Sequence, residues 1–95
     1  PLIMNYSTHV FHQYTLQITN GRRDEVKDFL SKKGISSMVY YPIPLHQQTA
    51  FKSFNRNTNF PVSDKFQSNV LSLPIHTELN EETINFIVES QKEFK

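Results

Sequence analysis

Four histidines, at His9, His12, His46 and His76, are the first residues whose chemistry has to be weighed. Imidazoles bind zinc and copper, but such sites usually recruit a carboxylate or a cysteine as well. The chain has no cysteine, and no spacing here fixes a helix-borne pair, so the scattered histidines read as hydrogen-bonded structural groups and no metal is expected. Seven lysines are candidate Schiff-base nucleophiles. Lys27, Lys32, Lys33, Lys92 and Lys95 fall on predicted polar helix faces, Lys52 in a loop and Lys65 beside Asp64, so none has the apolar setting that activates an amine. Gly21 and Gly34, the only glycines, are each accounted for by a turn, which leaves no glycine-rich phosphate loop. The run Tyr40-Tyr41-Pro42-Ile43-Pro44-Leu45-His46 is different. Its two prolines fix their own φ and push Tyr41 and Ile43 out of the helical region. The result is a stiff, extended connection that suits a wall presenting Tyr41 and His46 to a ligand.

The elements around that loop follow from periodicity. Val10 to Ile18 alternates, with Val10, His12, Tyr14, Leu16 and Ile18 on one face, and predicts a half-buried strand. Asn20-Gly21 ends it. A helix is predicted from about Arg22 to Lys33, carrying Val26, Phe29 and Leu30 as its apolar stripe. Asp24 and Glu25 in the first turn and Lys32 and Lys33 in the last match the helix dipole, and Gly34 terminates it. Ile35 to Tyr41 predicts a second, short strand stopped by Pro42. Gln47 to Phe51 suits a single helical turn, and Asn55, Asn57, Thr58 and Asn59 mark a loop. Pro61 opens a second helix through Val62, Phe66 and Val70. Leu71-Ser72-Leu73, ended by Pro74, is a third strand. Asn80 caps a last helix whose buried face is Ile84, Ile87, Val88 and Phe94, with Leu79 and Ile84 placed as a hydrophobic staple. The order β-α-β-α-β-α predicts an α/β sandwich in which helices cover one face of a three-stranded sheet.

Composition narrows the functional classes. Ninety-five residues suit one domain near the lower size limit for an adequate core. A net charge of +1 supplies no field for nucleic acid or an anionic membrane. Tyr6, Phe11 and Tyr14 near Arg22 and Arg23 could suggest base stacking, but the signature of an RNA-recognition sheet is missing. No apolar run approaches the roughly 20 residues that span a bilayer, and Pro1-Leu2-Ile3-Met4-Asn5 is not a secretion signal. Absence of cysteine is compatible with the cytoplasm. Residues 1–8 read as the remnant of an upstream connection and 9–95 as the domain, so the chain is expected to be part of something longer. Such a piece should expose an apolar patch where the rest docks, with Leu2, Ile3, Tyr6 and the Tyr40–Leu45 loop contributing.

Three islands together resemble one family. They are His9-Val10-Phe11-His12-Gln13-Tyr14, then Gly34-Ile35 running to Tyr41-Pro42-Ile43-Pro44-Leu45-His46 and Gln48, and finally Leu71-Ser72-Leu73-Pro74-Ile75-His76 with Leu79 and the capped helix. In this order they resemble the C-terminal small domain of the DegT/DnrJ/EryC1/StrS sugar aminotransferases, over about His9 to Phe94. Tyr40 departs from the histidine that many members carry before the Tyr-Pro pair. The resemblance implies a parent enzyme, cytoplasmic and homodimeric, that passes an amino group from glutamate through pyridoxal phosphate to a keto sugar linked to UDP or dTDP. The lysine, the acidic partner of the pyridine nitrogen and the phosphate-binding residues would lie in a large domain outside this chain, leaving this domain alone inactive. It further implies that Tyr41 and His46 reach the sugar or its diphosphate and that His12 and Tyr14 approach the cofactor–substrate region, although both also share the face of Leu16 and Ile18 and could be core. The proline-rich loop leans toward 3-keto sugars. From another class, a free-standing α/β domain binding a metabolite or partner protein without catalysis fits the same composition.

Overall fold

The computed structural model describes residues 3–54 and 59–95; the expectations for Leu2, Asn55, Asn57 and Thr58 lie outside that range. Strand β1 (Tyr14–Gln17) pairs antiparallel with β2 (Val70–Leu73) in the register Tyr14↔Leu73, Thr15↔Ser72, Leu16↔Leu71 and Gln17↔Val70. The strand expected from Val10 to Ile18 is therefore shorter at its start. Phe11 takes a φ of +47°, its N–H donates to His9 Nδ1 at 2.8 Å, and the two rings stack at 4.1 Å. That local turn replaces ladder bonding, and leaves Val10 87% exposed. From Tyr14 onward the alternation holds, with Tyr14 and Leu16 half-buried and Thr15 and Gln17 exposed.

Ile35 to Tyr41, expected as a strand, touches the sheet only at a Met38↔Ser72 bridge. There Met38 N–H donates to the Ser72 carbonyl at 3.0 Å and Ser72 N–H to the Met38 carbonyl at 2.7 Å. Among the described residues the sheet thus has two strands, not three. Pairing is limited at both ends of this segment. Its first amide, Ile35 N–H, donates to the Leu30 carbonyl at 2.9 Å while Gly34 N–H donates to Ser31 at 2.9 Å, which is the paired-bond ending of a helix with a left-handed residue. At its far end Pro42 offers no N–H. Because Ser72 spends both backbone groups on Met38, its pairing with Thr15 is the close, non-hydrogen-bonded kind, and their hydroxyls meet at 2.8 Å.

Helix α1 (Arg23–Lys32) buries Val26 and Leu30 and ends at Gly34, whose φ is +78°. Helix α2 (Pro61–Asn69) starts on its proline, buries none of its residues and runs directly into β2. The C-terminal carbonyls of α2 are met by Arg23, 9% exposed, whose Nη1 donates to Gln67 O at 3.1 Å and Val70 O at 3.2 Å. Helix α3 (Glu81–Glu93) is capped by Asn80, whose Oδ1 accepts from Thr83 N–H at 2.8 Å. Two single turns of 3₁₀ helix, Leu45–Gln47 and Thr49–Phe51, occupy the stretch where one turn was expected.

The core is Val26, Leu30, Ile35, Leu71 and Ile87, flanked by Ile18, Phe29, Val39, Leu73 and Phe94. α1 joins it to both β2 and α3. Of the apolar face expected for α3, Ile87 is buried and Phe94 packs edge-on against Phe29 at 5.5 Å under the Arg22 guanidinium. Ile84 and Val88, however, remain 45% and 39% exposed. Ile3, Tyr6, Tyr41 and Leu45 are exposed too. The radius of gyration is 15.9 Å, against about 12 Å for a compact domain of this length. Much apolar surface is left without a protein neighbour.

Candidate functional site

The proline loop and α2 form the two walls of a groove of about 380 Å³. Tyr41, Ile43, Leu45 and His46 line it from the loop, and Phe60, Phe66 and Gln67 from the other side. Proline geometry makes the loop extended, and side-chain amides hold it there. Gln67 Nε2 donates to the Pro42 carbonyl at 2.7 Å, and Gln48 Nε2 donates to the Ile43 carbonyl at 3.0 Å. His46 and Gln47 both meet one carboxylate oxygen of Asp64, Nε2 of the imidazole at 3.0 Å and Nε2 of the amide at 2.8 Å. The His46 ring also lies against Phe60, centroid to centroid 4.7 Å, and its side chain is only 11% exposed. Tyr41 is 68% exposed. The Tyr40–Tyr41 peptide is cis.

Of the four residues expected at a ligand, the structure brings Tyr41 and His46 to this one groove. His12 lines a neighbouring groove of about 470 Å³, together with His76, Ser36 and Ser72; Tyr40 borders both. His76 Nδ1 accepts from Glu78 N–H at 3.3 Å. Tyr14 stands elsewhere, opposite Leu73 in the sheet, beside Phe11 at 5.7 Å and at the rim of an apolar depression containing Leu79, Ile84 and Val88. Asp64, Gln67 and Phe60 did not stand out in the sequence. The only signal was the separation of Asp64 and Gln67 by three residues on one helix, which places them on one face but does not say what they face.

A phenol and an imidazole against aromatic walls can orient a polar ligand by hydrogen bonding and ring contact. Among the described residues, the linings of the two grooves contain no lysine, arginine or glycine. Lys33 pairs with Glu93, and Lys92 Nζ lies 2.8 Å from Glu89. The described residues of the two linings therefore do not by themselves fit a phosphate-bearing cofactor that is held through a lysine. Among them, no group of three or more His, Cys, Asp or Glu comes together, and no helix is long and apolar enough to cross a membrane.

Residues 2–92 match the model of the DegT/DnrJ/EryC1/StrS aminotransferase family. A pleiotropic regulatory protein of Geobacillus stearothermophilus is 45% identical over 87 residues, covering 90% of this chain and 23% of that protein. The UDP-N-acetyl-3-dehydro-alpha-D-glucosamine 3-aminotransferase of Acidithiobacillus ferrooxidans is 49% identical over 76 residues, covering 80% of this chain and 20% of that protein. Among solved structures, Spr1654 of Streptococcus pneumoniae in its PMP form superposes with a TM-score of 0.73 at 34% identity, over 85% of this chain and 21% of that one. The chain spans less than a quarter of the length of each of these proteins.

Proposed function

This chain belongs to the DegT/DnrJ/EryC1/StrS aminotransferase family, whose members depend on pyridoxal phosphate, and on that premise we propose that it is the C-terminal small domain of a nucleotide-sugar aminotransferase. The observation that carries the reading is a match over almost the whole chain to a small share of each relative. In the parent, glutamate gives up its amino group, takes an oxygen from one water at its α-carbon and leaves as 2-oxoglutarate. A keto sugar linked to UDP or dTDP then takes the amino group at its carbonyl carbon, with loss of the carbonyl oxygen as water. A 3-keto sugar is the preferred acceptor, supported by the loop and by the similarity to the 3-aminotransferase of Acidithiobacillus. The product serves surface polysaccharide or deoxy-amino-sugar synthesis. The parent is a cytoplasmic homodimer.

The cofactor supplies the electron sink for amino-group movement. The role of this domain is to close one side of the cleft. Tyr41 and His46 face the sugar or its diphosphate, while His12 and Tyr14 lie nearer the cofactor–substrate region. The apolar side chains left in water, Ile84 and Val88 among them, support a domain built to dock on a larger body over the free-standing alternative.

The isolated chain should bind no pyridoxal phosphate covalently. Scanning it with cofactor for a stoichiometric absorption band, beside the full-length protein, tests this. The band is expected in the full-length protein alone. A band in the isolated chain, abolished by replacing one of its own lysines, would overturn the assignment.

A further inference from the structure

The backbone of the Tyr41–Leu45 loop has few rotations left to fix, and helix α2 fixes one of them. Pro42 and Pro44 lock their own φ, and each restricts the ψ of the residue before it. What remains open at Pro42 is its ψ, which sets the direction of its carbonyl. That carbonyl accepts from Gln67 Nε2 at 2.7 Å. The far end of the loop is tied one turn earlier on the same helix, where Asp64 Oδ1 accepts from Gln47 Nε2 at 2.8 Å and lies 3.0 Å from His46 Nε2. Both attachments lie on one face of α2. Between them the Tyr41 side chain is left 68% exposed at the groove, while the His46 side chain, at 11%, is held between Asp64 and Phe60.

We propose that Asp64 and Gln67 are positioning residues that clamp the proline loop from α2, so that the exposed Tyr41 phenol and the His46 ring beside Asp64 are both held toward the sugar nucleotide. The ligand's identity here rests on the function proposed above; the clamp itself rests on the contacts just given. No residue of α2 needs to touch the ligand for this to hold.

The test uses the full-length protein containing this chain, with Asp64→Ala, Gln67→Ala and the conservative Asp64→Asn. Asparagine keeps an oxygen at the position that accepts from Gln47 and lies against His46. Loss of one neutral hydrogen bond corresponds to about two- to tenfold in affinity. Asp64→Ala and Gln67→Ala should therefore raise KM for the keto-sugar nucleotide roughly three- to tenfold. KM for glutamate and the rate of its half-reaction should stay within about twofold, and Asp64→Asn should restore wild-type KM. Amide hydrogen exchange over residues 41–48 should quicken in both alanine variants while α1 and α3 keep their protection. Equal losses in both half-reactions, an Asp64→Asn as impaired as Asp64→Ala, or unchanged exchange in the loop would each overturn the proposal. If the wild-type protein aminates no sugar nucleotide, the functional reading fails, and the exchange experiment still decides whether α2 clamps the loop.

Discussion

Leu71→Ala is expected to destabilise this domain by about 2–5 kcal/mol, whereas Ile84→Ala and Val88→Ala should cost the isolated chain less than about 1 kcal/mol. Leu71 is 0% exposed on β2, the strand that pairs with β1 on one side and bridges Met38 on the other. Removing three carbons there leaves a cavity in a core that, among the described residues, has only four other buried apolar side chains, Val26, Leu30, Ile35 and Ile87, so few neighbours can collapse into it. Total stabilities are on the order of 5–15 kcal/mol, and a domain this small lies at the low end. Most of the stability would go with the one side chain. Ile84 and Val88 are 45% and 39% exposed, so truncating them in the isolated chain removes little buried surface. Urea titrations of the three variants, in the isolated chain and again in the full-length protein, provide the measurement. In the full-length protein the two α3 variants should become costly, because a docked large domain buries them. If they stay neutral in both settings, α3 does not face a partner body.

Tyr41→Phe should slow amino transfer to the sugar nucleotide by about two- to tenfold if the phenol meets a neutral oxygen, and up to roughly 150-fold if it meets a charged diphosphate oxygen. The glutamate half-reaction should be almost unchanged. Phenylalanine keeps the ring that packs edge-on against Tyr40 at 5.9 Å, so only the hydroxyl is lost. The loop is already restricted by Pro42, Pro44 and the Gln67 contact, so little further ordering entropy opposes binding. His46→Ala should also impair the sugar half-reaction, by a different route. It leaves Asp64 without its imidazole partner and opens space beside Phe60, so it should lower the melting temperature as well. Single-turnover rates for each half-reaction separate these outcomes. Equal losses in both half-reactions for Tyr41→Phe would mean that its hydroxyl serves only the fold.

The elements that could be read in the sequence are those fixed by local chemistry. Asn80 caps α3, Pro61 opens α2, and Gly34 takes the left-handed conformation that ends α1; each acts within a few residues of itself. The sheet was less legible because pairing is non-local. Ile35 to Tyr41 is short and rich in the residues strands favour, yet its first amide closes a helix and its end is cut by proline, so one bridge is all that forms. Val10 to His12 alternates as a strand should, but a side-chain bond from His9 turns the backbone at Phe11. At the groove, Tyr41 and His46 were visible because two prolines mark the loop that carries them. Asp64, Gln67 and Phe60 were not, because a glutamine that reaches a carbonyl 25 residues away leaves no spacing pattern behind. The burial of Arg23 was hidden for the same reason: besides the adjacent Asp24, its partners are the distant carbonyls of Gln67 and Val70.

Conversion of a nucleotide-linked keto sugar in a single turnover tests the proposed function most directly. The full-length protein is first taken to its amino form with glutamate, freed of excess donor, and mixed with UDP- or dTDP-linked 3-keto sugar. The account predicts one equivalent of amino sugar nucleotide per active site, with the cofactor spectrum returning to its aldehyde form. It also predicts a slower return in Tyr41→Phe. A protein that regains the aldehyde form with 2-oxoglutarate, yet yields no product with any keto-sugar nucleotide, would contradict it.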